Sequence, residues 1–352
     1  MSTQTEPQNV TAETVSAAIA KLPRVRVADL PTPLHECPRF SEAIGNVRVL
    51  IKREDLTGLA FGGNKTRMFE FVFGEAQQQG ADAIITGAAS QSNHARQAAA
   101  AAAKLGMKAY LVCRRDARSE MGIQGNQLLD HILGADVRLA AGNQQQEKER
   151  LRDELIAQGK KPYLIGGLDQ LLATAAYVNC ALELQPQLEA AGADPDYLVA
   201  ASSSATLAGI GLGAKLLGMK GRPSGFRPSL GDNDRARDAL TDIANRTAEH
   251  LGLPGGMQST DWDNTDAYVG ENYGIITEAC IEAVQLLART EGILVDPVYT
   301  GKALSGLIDY VKQGRFPAGS TILFIHTGGT PALFAYHNEF VDIGGYQDHI
   351  VP

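Results

Sequence analysis

The sequence predicts an α/β fold in which mostly parallel, twisted sheets are flanked by helices. Short apolar runs alternate with segments of helical periodicity along nearly the whole chain, which is typical of successive βαβ units. Most of these runs are apolar throughout, as strands buried on both faces of a parallel sheet are. With 352 residues the chain is long for one hydrophobic core, so we expect two domains.

The alternation defines the individual elements. Strands are predicted at 47–52, 82–86, 108–113, 136–140, 162–165, 197–201 and 320–325. Helices are predicted at 65–80, 93–106, 121–134, 206–218, 275–292 and 302–314, several of which end at a glycine that signals a C-cap. The charge-rich segment 141–161 is expected to be an exposed helix, and 15–20 a short packed helix, while residues 1 to about 10 are expected to be loose.

The order of these elements predicts a division into two domains. A small domain at 66–178 would hold three or four βα units, and a large domain would combine 1–65 with 179–352. No proline-rich linker marks the boundary. A large domain built from two separate parts of the chain would place a ligand site in the cleft between the domains.

Composition narrows the class of partner. A formal net charge of -8 argues against binding of nucleic acid or an anionic membrane through a basic face, so a small molecule is expected. Cys37, Cys113, Cys180 and Cys280 are far apart and form no CxxC pair, which indicates buried thiols and neither a metal site nor disulfides. No apolar run resembles a secretory signal or a membrane span, so a cytoplasmic protein is expected.

One lysine stands out in the segment LTGLAFGGNKTRMFEF, residues 56–71. Lys65 follows two glycines and an asparagine, and local pattern leaves two alternatives, a solvated charge at a helix start or a nucleophile. A lysine amine that is held unprotonated in a desolvated cleft can form a Schiff base with a carbonyl compound. Lys52, at the end of the preceding strand, is a competitor that spacing alone does not exclude.

Two strand-to-helix turns are suited to anions. Ser90, Ser92 and Asn93 are N-cap types, which either cap the following helix or present donors to a carboxylate or phosphate. Small residues at the second turn can wrap a phosphate with hydroxyl and amide groups. They are Ser202, Ser203, Ser204, Ala205 and Thr206.

Two further turns carry candidate side chains. In HTGGTP, His326 is either a general base or a hydrogen-bonded structural residue, and Thr327 offers a hydroxyl where glycines allow close approach. In DPVYT, Tyr299 precedes Thr300, and the ring either packs in the core or delivers a phenol to a reacting atom. Tyr268 and Tyr273 leave the same choice open.

Together these segments resemble the D-cysteine desulfhydrase and 1-aminocyclopropane-1-carboxylate deaminase family, pyridoxal 5′-phosphate enzymes of fold type II. The resemblance covers nearly the whole chain, from LPTPLHECPRFSEAIGNVRVLIKREDLTGLAFGGNKTR through QSNHARQAAAAAAKLGM and DPVYTGKA to HTGGTPALF. GGNK at 62–65 followed by QSNH at 91–94 is its most specific part. It implies a two-domain enzyme with the active site in the interdomain cleft, and by resemblance a homodimer is expected.

The resemblance also implies roles for individual residues. Lys65 would form the Schiff base with the cofactor and then act as a base or acid at the substrate carbon. The implied cofactor contacts are Asn93 near the ring oxygen, the phosphate turn Ser202, Ser203, Ser204, Ala205 and Thr206, and the hydroxyls of Thr300 and Thr327. The implied substrate contacts are Gln91, Ser92, Asn93 and His94, and the implied catalytic partners of Lys65 are Ser92, Tyr273 and Tyr299.

Thr300 bears on the reaction. The deaminases that open the cyclopropane ring carry a glutamate at this position, whereas desulfhydrase-like members carry a threonine. A carboxylate near the pyridine nitrogen would favour its protonated form, and a hydroxyl cannot hold that proton electrostatically. We therefore expect α,β-elimination on a β-substituted amino acid, with D-cysteine giving pyruvate, sulfide and ammonia.

Three alternatives remain at this level. An L-cysteate sulfo-lyase that releases sulfite is one, because AYVNCALEL and YVGENYG look similar to segments of that branch. The cyclopropane deaminase is another, and a non-catalytic cofactor-binding protein is a third, although Lys65, Tyr299 and the anion turns argue against it. Two departures bear on the assignment: SSSAT has less glycine than relatives usually show, and 165–177 lacks their Ser-Asn-Pro loop near the substrate.

Overall fold

The structure, a computed structural model, describes residues 10–344. Within them the chain forms ten strands. They are β1 (Leu34–Glu36), β2 (Arg48–Lys52), β3 (Ala83–Thr86), β4 (Lys108–Arg114), β5 (Asp136–Ala140), β6 (Pro162–Leu164), β7 (Tyr197–Ala200), β8 (Arg222–Phe226), β9 (Asp263–Thr265) and β10 (Thr321–Ile325). All seven predicted strands are confirmed to within two residues at each end.

The described residues form thirteen α-helices, eight of which were predicted. They are α1 (Ala12–Ile19), α2 (Pro38–Ile44), α3 (Asn64–Gln78), α4 (Asn93–Lys104), α5 (Gly125–Ile132), α6 (Gln144–Ala157), α7 (Asp169–Ala190), α8 (Ala205–Leu216), α9 (Asn233–Leu251), α10 (Glu278–Glu291), α11 (Thr300–Lys312), α12 (Ala332–Ala335) and α13 (His337–Gly344). The exposed helix α6 and the packed helix α1 are confirmed. The predicted helix at 121–134 begins only at Gly125, and the predicted loose segment lies outside the described residues, apart from Val10.

The strands form two sheets. The larger has the order β1-β2-β10-β7-β8-β9, and the smaller has the order β5-β4-β3-β6. Every pairing is parallel except that of β1 with β2, so the predicted fold class is confirmed. Strands of the smaller sheet all lie within 66–178 and those of the larger sheet outside it, but the domain division itself stays a prediction.

Some elements were missed by the sequence analysis. β8 contains Pro223 and Gly225, which local rules place outside strands, and β1 and β9 have only three residues each. The 22-residue helix α7 contains Pro186 and begins within the segment 165–177, so most of that segment is helical. All four cysteines are buried and free, as predicted. No helix of residues 10–344 is long and apolar enough to cross a membrane.

A buried ionic cluster lies under the start of α3. We define the cluster as Lys52, Glu54, Arg67 and Glu183, two cations and two anions. Arg67 donates from Nε and Nη2 to both carboxylate oxygens of Glu54, each at 2.8 Å, and from Nη1 to Glu183 at 3.0 Å. Lys52 donates to Glu183 and, at 2.7 Å each, to the Thr32 carbonyl and the Gln187 amide oxygen. The cluster therefore joins β2, α3 and α7.

The environment of Glu54 shows how this cluster is balanced. Burial opposes ionisation of the carboxyl group, but the adjacent Arg67 guanidinium, with Thr32 and Lys52, outweighs burial and lowers the pKa of Glu54 to about 2. The carboxylate is also bonded by the Tyr177 hydroxyl at 2.9 Å. A pKa below that of the unfolded chain means that Glu54 stabilises the fold above pH 4 to 5 and loses that contribution as the pH falls towards about 2.

Arg67→Met tests the cluster. The substitution leaves the carboxylates of Glu54 and Glu183 without their main cation, and removal of one partner from a buried ion pair costs about 3–5 kcal/mol. We expect the free energy of unfolding in urea to fall by about that amount. The control Arg152→Met breaks an exposed pair with Asp153 and should change it by less than about 0.5 kcal/mol. Equal effects of the two substitutions would contradict this account.

Candidate active site

One cavity collects most of the residues that the sequence singled out. Lys65, Asn93, Tyr299, Thr327 and serines 202–204 all line it. The lysine, the serines and Thr327 follow the carboxyl ends of β2, β7 and β10, which are neighbours in the larger sheet, and Asn93 follows β3 of the smaller sheet. Ligands of open α/β sheets bind at this edge, where the turns after the strands converge.

Lys65 is the second residue of α3, and its backbone position depends on the glycines before it. Gly62 and Gly63 have φ of 61° and 122°, values that L side chains rarely adopt. The lysine Nζ has no hydrogen-bond partner within residues 10–344. Burial lowers the pKa of this amine to about 8; Asp296 opposes the shift and Arg96 adds to it. About half of Lys65 is therefore a free amine at pH 8, and about a tenth is at pH 7.

The glycines also let two turns touch. A Cβ atom on Gly328 would lie 2.7 Å from the Cα atom of Gly63, closer than any real Cβ contact. The Asn64 amide donates to the Thr327 carbonyl at 3.1 Å across the same junction. The GGNK turn and the HTGG turn are thus in direct backbone contact, which fixes Lys65 beside Thr327.

Lys52 has a different environment from Lys65. It is fully buried and donates to three acceptors in the ionic cluster, which matches the three hydrogens of an ammonium group. This environment favours Lys65 over Lys52 as the candidate nucleophile.

The start of α8 is an open anion site. No side chain caps this helix, whose N-cap is Ser204, so the amide groups of its first turn have no side-chain acceptor. The Ser202 hydroxyl accepts from the Ser204 amide at 3.2 Å and stays next to the cavity. The Thr206 hydroxyl instead accepts from the Asn64 side-chain amide at 2.9 Å, so Thr206 connects this turn to the residue before Lys65.

The start of α4 serves two purposes. The Ser92 Oγ atom caps the helix by accepting from the amides of His94 and Ala95 at 3.1 and 3.2 Å, which leaves its own proton free to be donated. The Asn93 Oδ1 atom accepts from Asn126 at 2.8 Å, so the free Asn93 Nδ2 group is the one that reaches the wall formed by Gly329. Capping and ligand binding are therefore compatible at this turn.

Gln91 and His94 are placed differently from Asn93. The Gln91 side chain accepts from the Asn126 amide at 2.9 Å and donates to the Gln124 carbonyl at 3.1 Å, so it is held by the start of α5. The His94 ring packs on Phe69 and bonds to the Thr86 hydroxyl at 2.8 Å. Burial lowers the pKa of His94 to about 3, so the ring is neutral and lies behind the cavity wall.

Two tyrosines form a pair at the cavity. The hydroxyls of Tyr273 and Tyr299 are 2.6 Å apart. Burial raises the pKa of both phenols, most strongly that of Tyr299, so both keep their protons at neutral pH. Tyr273 also lines a second, mostly apolar cavity with Gln91 and Ile275, so the pair stands between the two spaces. Since only one proton is used in their mutual bond, the other is available to a ligand.

Thr300 is completely buried, and its hydroxyl is occupied. It donates to the Asp296 carboxylate at 2.6 Å and accepts from the Asp296 amide at 2.8 Å. The same carboxylate accepts from the amides of Val298, Tyr299 and Thr300, which ties down the turn before α11.

His326 and Tyr268 have structural contacts. Both ring nitrogens of His326 are bonded to the backbone, Nε2 to the Leu294 carbonyl at 2.9 Å and Nδ1 to the Gly328 amide at 3.2 Å. Tyr268 donates to Asp309 and packs against Phe226. Neither side chain lines the cavity that contains Lys65.

Three residues near the site were missed by the sequence analysis. Pro228 and Ser229 line the cavity after β8, a strand that was not predicted because of its proline and glycine. Asn126 holds Gln91 and Asn93, but nothing in its local sequence indicates that it would reach another helix start.

The site defines a class of protein. A desolvated free lysine amine, an uncapped helix start with serine hydroxyls, and a free amide donor between them suit a phosphorylated cofactor that carries a carbonyl group. The chain belongs to the family of pyridoxal-phosphate-dependent enzymes, whose family model matches residues 25–328.

Solved structures agree with this assignment. An ACC deaminase homologue is 36% identical with a TM-score of 0.84, over 94% of this chain and 99% of that chain. The processed form of threonine deaminase isoform 2 from Solanum lycopersicum is 16% identical with a TM-score of 0.64, over 97% of this chain and 91% of that chain. A pyridoxal 5′-phosphate-dependent aspartate racemase is 17% identical with a TM-score of 0.60, over 92% of this chain and 97% of that chain. The last two show the fold alone. The protein is thus a fold type II enzyme that depends on pyridoxal phosphate.

The lowered pKa of Lys65 gives a testable pH dependence. When apoprotein is mixed with pyridoxal phosphate and trapped with borohydride, the initial rate of attachment should rise with pH through a midpoint at about 8 and level off about one pH unit higher, because the amine is then mostly deprotonated. Lys65→Arg provides the background. A rate that keeps rising to the range of ordinary lysines, about 10.4, would show that the amine is not desolvated.

Proposed function

We propose that this enzyme is a lyase that catalyses α,β-elimination on a β-substituted amino acid, with D-cysteine as the favoured substrate and pyruvate, sulfide and ammonia as products. The observation that carries the proposal is the placement of Lys65 in one cavity with Tyr299, whose hydroxyl is bonded to that of Tyr273. Elimination needs a base at the α-carbon and a proton donor at the leaving group. The Lys65 amine can serve as the base, and the tyrosine pair can serve as the proton donor.

The chain offers a place for each part of the cofactor. Its phosphate would bind at the uncapped start of α8 with serines 202–204, the Asn93 Nδ2 group would donate to its ring oxygen, and Lys65 would attach its carbonyl carbon. When bound, the cofactor supplies an electron sink for the pair left by removal of the α-proton.

The side chains then divide the proton transfers. The Ser92 hydroxyl would donate to the substrate carboxylate, and the free amine of Lys65 would take the proton from the α-carbon. The bond between the β-carbon and sulfur breaks, and the sulfur leaves with the proton that the tyrosine pair supplies. The released aminoacrylate adds water and loses ammonia to give pyruvate, and the proton that Lys65 took up replaces the one that the tyrosine pair gave, so atoms and charges balance.

Two features favour a thiol over the alternatives. The second cavity is lined by Ala89, Ile275 and Val298 with one carboxylate, Asp116, and no described cationic side chain that would hold the sulfonate of L-cysteate. Likeness to the ACC deaminase homologue supports ring opening as the second candidate. Ring opening is disfavoured because Thr300 stands where the cyclopropane deaminases carry a glutamate. The carboxylate of nearby Asp296 does not take the place of that glutamate, since its oxygens already accept from Thr300 and from three backbone amides.

A panel of substrates tests the proposed reaction. D-cysteine, L-cysteate, D-serine and 1-aminocyclopropane-1-carboxylate are incubated separately with the enzyme, and sulfide, sulfite, pyruvate and 2-oxobutanoate are quantified. We expect sulfide and pyruvate from D-cysteine at the highest kcat/KM. Sulfite from L-cysteate as the main reaction would move the assignment to the sulfo-lyase, and turnover of the cyclopropane substrate alone would refute the argument from Thr300.

Lys65→Ala tests the catalytic lysine. We expect turnover to fall to background while the thermal unfolding midpoint stays close to that of the wild type, because Lys65 makes no hydrogen bond from its side chain in the described structure. Lys52→Ala is the matched control, since it leaves Glu183 without one partner and should lower stability. Substantial turnover by Lys65→Ala would exclude Lys65 as the essential amine.

Assembly and location are part of the proposal. We propose a homodimer, on the strength of the family resemblance, and a cytoplasmic enzyme. Light scattering at several protein concentrations checks the first, and a monomeric mass throughout would exclude it. Fractionation of the producing cells checks the second.

A further inference from the structure

The starts of α3 and α4 lie against each other at the site, yet α3 has no capping side chain of its own. Its N-cap residue is Gly63, which cannot supply one. The first amides of α3 must therefore find acceptors elsewhere in the fold. Asn64 uses the Thr327 carbonyl, and Thr66 shares its amide between the Gly63 carbonyl at 3.1 Å and, at 2.8 Å, the side chain of Gln97, one turn into α4.

Gln97 makes three hydrogen bonds from a fully buried position. Its Oε1 atom accepts from the Thr66 amide at 2.8 Å and from the Thr66 hydroxyl at 3.1 Å, and its Nε2 atom donates to the Asn93 carbonyl at 2.8 Å. A backbone amide can only donate and a carbonyl can only accept, so the orientation of the Gln97 amide is fixed by its partners.

The same side chain supports the backbone on the other side of the lysine. A Cβ atom on Gly63 would lie 2.7 Å from Gln97 Nε2, so the chain at Gly63 passes directly over the amide. Gln97 thus contacts Gly63 and Thr66, the residues that bracket Asn64 and Lys65. It does not line either cavity at the site.

We propose that Gln97 is a positioning residue that fixes the Lys65 amine relative to the Asn93 side chain. The inference rests on the proposed role of Lys65 in cofactor attachment and catalysis. Since one amide holds both helix starts, loss of its bonds lets α3 shift against α4, which displaces the lysine from a cofactor held by Asn93 and α8. A displacement of about 1 Å at a reacting group can cost about 10²-fold in rate.

The test compares Gln97→Met, which keeps the length and loses all three hydrogen bonds, with Gln97→Glu. The ionised carboxylate of the second variant can accept from Thr66 but faces the Asn93 carbonyl without a proton, whereas its protonated carboxyl group reproduces both the donor and the acceptor of glutamine. We expect both variants to bind pyridoxal phosphate and to lose about 10²-fold in kcat at pH 8 with a much smaller change in KM. As the pH is lowered, Gln97→Glu should recover relative to the wild type, and Gln97→Met should not.

A second readout does not depend on turnover. The rate of cofactor attachment to Lys65, trapped with borohydride and measured by peptide mass spectrometry, should fall below the wild-type rate in both variants, and at lower pH the ratio to the wild type should recover only in Gln97→Glu. Thr247→Val is the control, because it removes a fully buried hydrogen bond in α9 that does not touch the site. It should lower the unfolding temperature without changing attachment or the split between kcat and KM.

The outcomes separate this inference from the proposed function. Variants that lose stability but keep wild-type kcat and attachment rates would reduce Gln97 to a structural role and overturn the inference. If Gln97→Met does not fold, the pH-dependent recovery of Gln97→Glu decides alone, and its absence refutes the proposal. A wild-type protein that fails to attach the cofactor at Lys65 would instead refute the proposed function.

Discussion

The site depends on the placement of α3 by a buried ionic cluster. Arg67, two residues beyond Lys65, is bonded to Glu54 and Glu183, and Glu183 also holds Lys52. Such a cluster is costly to desolvate, and it is stable only because every charge has an oppositely charged, hydrogen-bonded partner. The cluster also fixes the relative positions of β2, α3 and α7, because all of its groups are paired in this one arrangement of the three elements. The first turn of α3 starts from that arrangement.

The contrast between two lysines follows from this. Lys52 and Lys65 lie close in sequence. Lys52 is fully buried, whereas Lys65 lines the cavity of the candidate active site. Three acceptors surround the Lys52 amine, so all its hydrogens are used in structural bonds. Lys65 is half-buried and its amine has no acceptor in the described part of the chain, and burial lowers its pKa to about 8. The hydrogen bonds around the two amines therefore favour a structural role for Lys52 and a reactive role for Lys65.

Much of this could be predicted from sequence, and the failures have physical causes. The seven strands were recoverable because a strand buried on both faces must be apolar, and the start of α4 because its cap, Ser92, is local. β8 was missed because Pro223 and Gly225 contradict local propensity and are tolerated only in the tertiary context. Because β8 was not predicted, Ser229, which follows this strand, was not recognised as a cavity residue. The roles of Gln97 and Asn126 were also hidden, because an amide that joins two helix starts has no signature in either helix alone.

The polar groups at the site fall into two sets, and that division locates the ligand. Gln91, His326 and Thr300 look like binding residues by position, but their side chains are already bonded within the protein. Lys65 Nζ and Asn93 Nδ2 have no partner in the described part of the chain. Burying polar groups without partners is unfavourable, so groups left in this state at a cavity mark where a ligand completes the hydrogen bonding. Position in a sequence motif identifies candidate residues. Their hydrogen-bond partners in the structure then distinguish side chains that are free to bind a ligand from side chains that are already bonded within the protein.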